Sequence, residues 1–290
     1  TYPQRLSYQT AAFPAMTAKV HLTGNVECRS VQPATGARVT LVGNDATTSY
    51  VKGSMLMTSS NAHLILDNVA YYFTGSLGAA QDHIAASSLI RLQNGASLTN
   101  STGYFPQYFN GLNCALELAG KSAYMITSAS TTWVINGGHV LNDDSTFSAV
   151  NAIDLGYSAA APTWTFAGAS PLLKTTSTCT VGGAGGAKLV FDAPKGGYMA
   201  APINVPNNVL LSTCAGPVEI SVPQTAEVWR GDYCSFDLLS APKGINTNNV
   251  TLATPLRKSG AFVWTQSDGI VNPTGLKFVF TALGTTVRFK

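Results

Sequence analysis

The run ARVTLVGNDATTSYVKGSMLMTSSNAHLILDN, Ala37 to Asn68, holds one unit of a pattern that recurs along the chain. It opens on an alternating stretch, ARVTLVGN, and closes on a second, AHLILDN from Ala62. A weaker strand candidate, SMLMTS from Ser54, lies between them. Alternation of apolar and polar residues over four to eight positions, ended by Gly, Asn or Asp, marks a half-buried β-strand. The same unit is seen earlier as AKVHLTGN from Ala18. It returns as SLIRLQNG from Ser88, CALELAG from Cys114, TTWVINGG from Thr131, NAIDLGY from Asn151, PTWTFAGA from Pro162 and AKLVFDAP from Ala187. VAYYFTG from Val69 and SAYMITS from Ser122 are further weak strands between strong ones. No dozen residues carry a helical period.

The second apolar position of each unit falls at Leu22, Leu41, Leu66, Leu92, Leu118, Ile135, Leu155, Phe166 and Phe191. Most steps are about 17 to 26 residues, a period that signals repeat architecture. The short step from Leu155 to Phe166 fits two strands of one turn. A sandwich, the alternative all-β fold, would show strands every 8–12 residues with turn signals between them. Two or three short strands per period instead predict a parallel β-helix. In such a solenoid each coil pairs only with its neighbours and inward side chains stack in ladders. The expected organisation is solenoid coils over 1–193 and an irregular C-terminal strand region over 194–290. Pro194, Pro202, Pro206, Pro217, Pro223 and Pro242 cluster in the latter. It continues the solenoid or caps it, and its end, GLKFVFTALGTTVRFK, reads as a hairpin about Ala282-Leu283-Gly284.

Composition agrees. Of 290 residues only 11% are charged, against about 25% in an average soluble domain. Like charges stacked in register repel, so a solenoid favours Ser, Thr and Asn outside. Hydrophobic content of 45% excludes a disordered chain, and a net charge of +3 is too thin for nucleic-acid capture. No run approaches the ~20 apolar residues of a membrane helix. Thr1 opens a polar stretch, TYPQRLSYQT, without the pattern of a signal peptide, so the sequence reads as a processed or excised form. Cys28, Cys114, Cys179, Cys214 and Cys234 form no CxxC pair and read as buried apolar thiols. Cys214 and Cys234 could bridge in an oxidising compartment.

The run GDYCSFDLLSAPKGINTNNVTL, Gly231 to Leu252, followed by GLKFVFTALGTTVRFK, resembles the late segments of secreted β-helix proteins with autotransporter-type repeats. Gly231, Tyr233 and Leu238 match a Gly-x-Tyr-x-x-x-x-Leu strand, and Val250 and Leu252 match the short strand after it. KLVFDAPKGGYMAAPI, Lys188 to Ile203, is similar in character. The resemblance covers roughly the last third of the chain. It implies secretion or surface display, a right-handed β-helix, and adhesion or structure more often than catalysis.

Parallel β-helices also carry polysaccharide lyases and hydrolases. The catalytic candidates here are His139, in Gly137-Gly138-His139, with Asp143 and Asp144, since carboxylates beside a histidine can supply acid, base and a positioned water. The order is the reverse of the pectin-hydrolase pattern, Val140 replaces its second glycine, and a turn between coils explains the cluster without chemistry. The pair Asp82-His83 points to opposite faces of a strand. The scattered acids and the glycine run Gly182 to Gly186 supply no metal site, and no cofactor is expected. Aromatics offer another surface. Tyr104, Phe105, Tyr108 and Phe109 lie in STGYFPQYFNG, and the consecutive Tyr71, Tyr72 and Phe73 must place at least one ring outward, for a sugar or another subunit. Phe278, Phe280, Val287 and Phe289 would form an adhesive C-terminal edge, with TYPQRLSYQT as a partner arm. Sequons stand at Asn100 and Asn249.

The expected function is an extracellular or cell-surface structural or adhesive β-solenoid that self-associates into filaments or a layer. The alternatives are a carbohydrate-active or glycan-binding β-helix, and a virion component such as a tail spike or capsid protein.

Overall fold

The structure, a computed structural model, describes residues 4–44, 49–74, 84–102, 108–109, 113–129, 132–134, 137–156, 161–182, 185–207, 209–210, 216–231, 233–253 and 260–280. It is a nearly all-β chain folded as a solenoid of about six turns, with stacked parallel strands. The strands form three sheets of twelve, ten and six members. In the ten-stranded sheet each strand pairs in parallel with the strand one unit on, as Arg38–Gly43 does with His63–Asp67. From Gln4–Phe13 to Gly260–Thr265, described strands adjacent in sequence fall in different sheets, which excludes the sandwich. Six turns carry a strand in every sheet. Before Tyr108–Phe109, the first member of the six-stranded sheet, the described rungs carry only two.

The alternation of the sequence is the inside and outside of these sheets. One inward ladder of the ten-stranded sheet runs Val39, Leu64, Ile90, Leu116, His139, Trp164, Leu189, Ile220. A second runs Leu41, Leu66, Leu92, Leu118, Leu141, Phe166, Phe191. All are buried. The strong strands foreseen at Ala18, Ala37, Ala62, Ser88, Cys114, Pro162 and Ala187 belong to this sheet, and the weaker ones to the twelve-stranded sheet. Leu155 and Phe166 lie in two strands of one turn, Ile153–Leu155 and Thr163–Ala167. From mid-chain the core becomes aromatic. His139, Trp164, Phe166, Phe191, Tyr198, Phe236 and Phe278 form a continuous series of ring contacts at 4.8–6.5 Å.

Charges obey the same register. Wherever two Asp, Glu, Lys or Arg residues are direct partners between described strands, their signs are opposite. Examples are Glu27 with Lys52, Arg91 with Glu117, Lys188 with Glu219 and Asp237 with Lys277. The last three are ion pairs.

Past residue 193 the turns persist but their connections lengthen. Residues 193–202 link the ten-stranded to the twelve-stranded sheet where 143–145 suffice two turns earlier. A 3-10 helix, Glu227–Arg230, buries Val228 and Trp229 in the next such link. One strand, Gly275–Phe280, is reversed. It lies between Cys234–Ser240 and Gly260–Thr265, antiparallel to both. The hairpin about Ala282-Leu283-Gly284 lies outside the described residues.

Candidate functional site

The cluster from Gly137 to Asp144 divides at a corner. Gly138–Asn142 is a strand of the ten-stranded sheet, so His139 and Leu141 point inward. The His139 side chain is 1% exposed. Its Nδ1 accepts the backbone N–H of Leu116 at 3.2 Å, and its ring lies against Trp164. Asp143 and Asp144 follow in the left-handed region, at φ 46° and 47°, and are exposed. Asp and Asn tolerate this region better than other non-glycine residues. The Asp143 N–H donates to Ala167 O at 3.2 Å, and its carbonyl accepts from Lys121 N–H at 3.1 Å, so the corner is stitched to the turns on either side. Gly168 stands at the next corner with φ +77°, and a Cβ there would come within 2.7 Å of the Asp143 nitrogen. Imidazole and carboxylates therefore face opposite environments and share no surface for a substrate. Asp82 and His83 lie outside the described residues.

The three consecutive aromatics divide as strand geometry requires. Tyr71 and Phe73 are buried, with the Tyr71 hydroxyl donating to Ser54 O at 2.7 Å. Tyr72 points outward and is 44% exposed. Tyr108–Phe109 forms a two-residue strand paired with Trp133 and Val134. Tyr104, Phe105, Val287 and Phe289 lie outside the described residues. Phe278 and Phe280 are core residues rather than an exposed edge: Phe278 contacts Trp229, Phe236 and Phe262, and Phe280 packs on Trp229. The outer strand there is Gly260–Thr265.

The outward face of the twelve-stranded sheet holds two open concavities among the described residues. Glu27, Lys52, Tyr72 and Thr99 occupy one register position on four successive strands. They floor a groove of about 390 Å³, bordered also by Tyr50 and Thr74. Tyr50 meets the Tyr72 ring edge to face, with centroids 5.8 Å apart and an interplanar angle of 77°. The Tyr50 hydroxyl donates to Glu27 Oε1 at 3.4 Å. Further along the same face, Met125, Thr127, Ser148, Val150 and Lys174 border a more apolar groove of about 280 Å³. Tyr72 carried a signal in the sequence. Its partners did not, since only the register of three parallel pairings brings them together.

Cys28, Cys114 and Cys179 are buried thiols as expected, whereas Cys234 is only half-buried. Burial, with a smaller contribution from Asp154, pushes the Cys179 thiol up to about 12. Cys214 lies outside the described residues. Asn100 is buried, its Oδ1 accepting from Thr102 N and Oγ1 at 3.0 Å, so that sequon is shut away, whereas Asn249 is exposed. Among the described residues no His, Cys, Asp and Glu converge on a metal position, and no helix is long and apolar enough to cross a membrane.

Family models, curated proteins and solved structures all return no match to this chain.

Proposed function

We propose that this chain is a structural and adhesive β-solenoid of the cell exterior, which acts by displaying its outward faces and associating with copies of itself. The observation that supports this most directly is the first rung. Gln4–Phe13 and Thr17–Leu22 are the terminal strands of their sheets. Inward-facing Phe13 and Val20 are only partly buried, whereas Leu41, the register partner of Val20, is 3% exposed. Two adjacent strand edges with an apolar cross-section between them are a template for further strands. At the other end the reversed strand Gly275–Phe280, packed on Trp229, interrupts the parallel ladder of the twelve-stranded sheet. The exterior location rests on the neutral hydroxyl-rich surface and on the resemblance in the last third.

A polysaccharide-cleaving reading has lost its residues, since His139 is in the core and Asp143 and Asp144 hold a corner. Sedimentation velocity across a wide concentration range tests the proposal. The native chain is expected to associate, and Val20→Lys, which puts a charge on the open rung, to remain monomeric. A native chain that is monomeric throughout overturns the association. Release of reducing ends from a polysaccharide, abolished by Asp143→Asn, overturns the non-catalytic reading. Protease treatment of intact source cells checks the location: a chain that survives until lysis is not displayed.

A further inference from the structure

We propose that the groove floored by Glu27, Lys52, Tyr72 and Thr99 is a binding site for a glycan. This deepens the adhesive reading by giving its outward face a ligand class.

The chemistry at the site is that of a hydroxyl-rich ring compound. Tyr72 is an aromatic residue 44% exposed, and the Tyr50 ring, 5.8 Å away at an interplanar angle of 77°, restricts it before any ligand arrives. A preset aromatic ring gives contact area at low conformational cost. Around it, donors and acceptors alternate along the register. The Glu27 carboxylate receives one hydrogen bond from Tyr50 and has lone pairs for others. Lys52 supplies donors only, and the hydroxyls of Thr74, Thr99 and Ser101 do either. A sugar hydroxyl both donates and accepts, so it can satisfy each kind of neighbour in turn.

Position narrows the ligand further. The strands beneath the groove are interior members of the sheet, each paired on both sides, so no backbone edge is offered to a peptide that adds as a strand. One carboxylate and one ammonium side by side do not form the cationic cluster that captures phosphate groups. The volume, about 390 Å³, lies at the lower end of the range for small-ligand sites. Strands spaced ~4.8 Å apart make the four floor residues span ~14 Å, room for more than one sugar ring.

The test is an array of immobilised neutral and uronate oligosaccharides probed with the whole chain, followed by calorimetry on the best binder. Tyr72→Ala is expected to weaken binding about tenfold or more, while Tyr72→Phe, which keeps the ring, stays close to native. Glu27→Gln weakens it, and Glu219→Gln, on the ten-stranded sheet, leaves it unchanged. Lys52→Ala abolishes binding of a uronate and spares a neutral glycan, which identifies the sugar class. A native chain that binds no member of the array overturns the site, as does a bound glycan indifferent to Tyr72→Ala. A chain that associates but binds no glycan overturns this site alone. A strictly monomeric chain that binds one overturns only the association proposed above.

Discussion

The imidazole of His139 lies 4.8 Å, centroid to centroid, from the indole of Trp164, at the same register position one turn further on. Its Nδ1 accepts the N–H of Leu116 one turn back. One ring thus ties three turns together, with its packing surface on one side and its hydrogen bond on the other. The most chemically suggestive side chain of the sequence is a structural member of the core.

Replacing it should therefore cost stability. His139→Ala opens a cavity beside Trp164 and removes the ring's hydrogen bond with the Leu116 N–H. A loss of about 2–4 kcal/mol is expected, the range for emptying a buried large side chain. Urea denaturation measures it; a loss below about 1 kcal/mol would show that the ring is not packed as described.

The neighbouring glycines form a matched pair. Gly137 has φ +100°, and a Cβ on it would collide with the Cys114 carbonyl and sit 3.1 Å from the Cys114 sulfur. Gly138 would present its Cβ to open space. Gly137→Ala is expected to abolish or severely impair folding, and Gly138→Ala to leave the melting temperature nearly unchanged. Equal effects on the two melting curves would refute the corner geometry.

The corner carboxylates are replaceable by residues that accept the left-handed region. Asp143→Asn and Asp144→Asn should each change stability by no more than about 0.5 kcal/mol. Asp143→Val, β-branched at φ 46°, should destabilise clearly. Chemical denaturation of the three variants separates a conformational role from a charge role, because a charge role would make the Asn variants fail as well.

Asp192 gives a pH signature. Burial, and secondarily the charge of Glu227, raise its carboxyl above the usual 3.8. Above its folded pKa the native state carries a penalised charge. As pH falls through that value the native state takes up the proton before the unfolded chain does, and stability rises until the unfolded carboxyl titrates at 3.8. Asp192→Asn should thus raise the melting temperature slightly at pH 7, with the gain vanishing below pH 3.8. A gain that grows on acidification would reverse the sign and refute the assignment.

The ten-stranded sheet was legible in the sequence because its inward residues are large and apolar at every second position, as in Leu64 and Leu66 or Trp164 and Phe166. Other strands were not. Ser97–Asn100 buries Leu98 and Asn100, and Thr146–Ala149 buries Phe147 and Ala149, so each shows one bulky apolar residue in four. Glycines and a histidine mask the alternation of Gly138–Asn142, so its sequence reads as a turn. The reversed strand Gly275–Phe280 pairs with Cys234–Ser240, 35 to 46 positions upstream, which local periodicity cannot report. Of the groove, only Tyr72 was visible, as the outward member of three consecutive aromatics. Glu27 and Lys52 acquire meaning only once register places them beside it.

The constancy of that register bears on how such a chain changes over generations. Each turn meets its neighbours through the same inward positions, so excising residues 123–145 would set Thr146–Ala149 against Ser97–Asn100, with Phe147 over Leu98 in place of Tyr124. The corner at 119–122 would lead into the next turn much as it leads into its own. Duplication or loss of one whole turn is then a modest event for the fold, while an insertion of one residue within a strand breaks that strand's register with the turns on either side. The length of the rod is a heritable variable that the gene can adjust in steps of one coil.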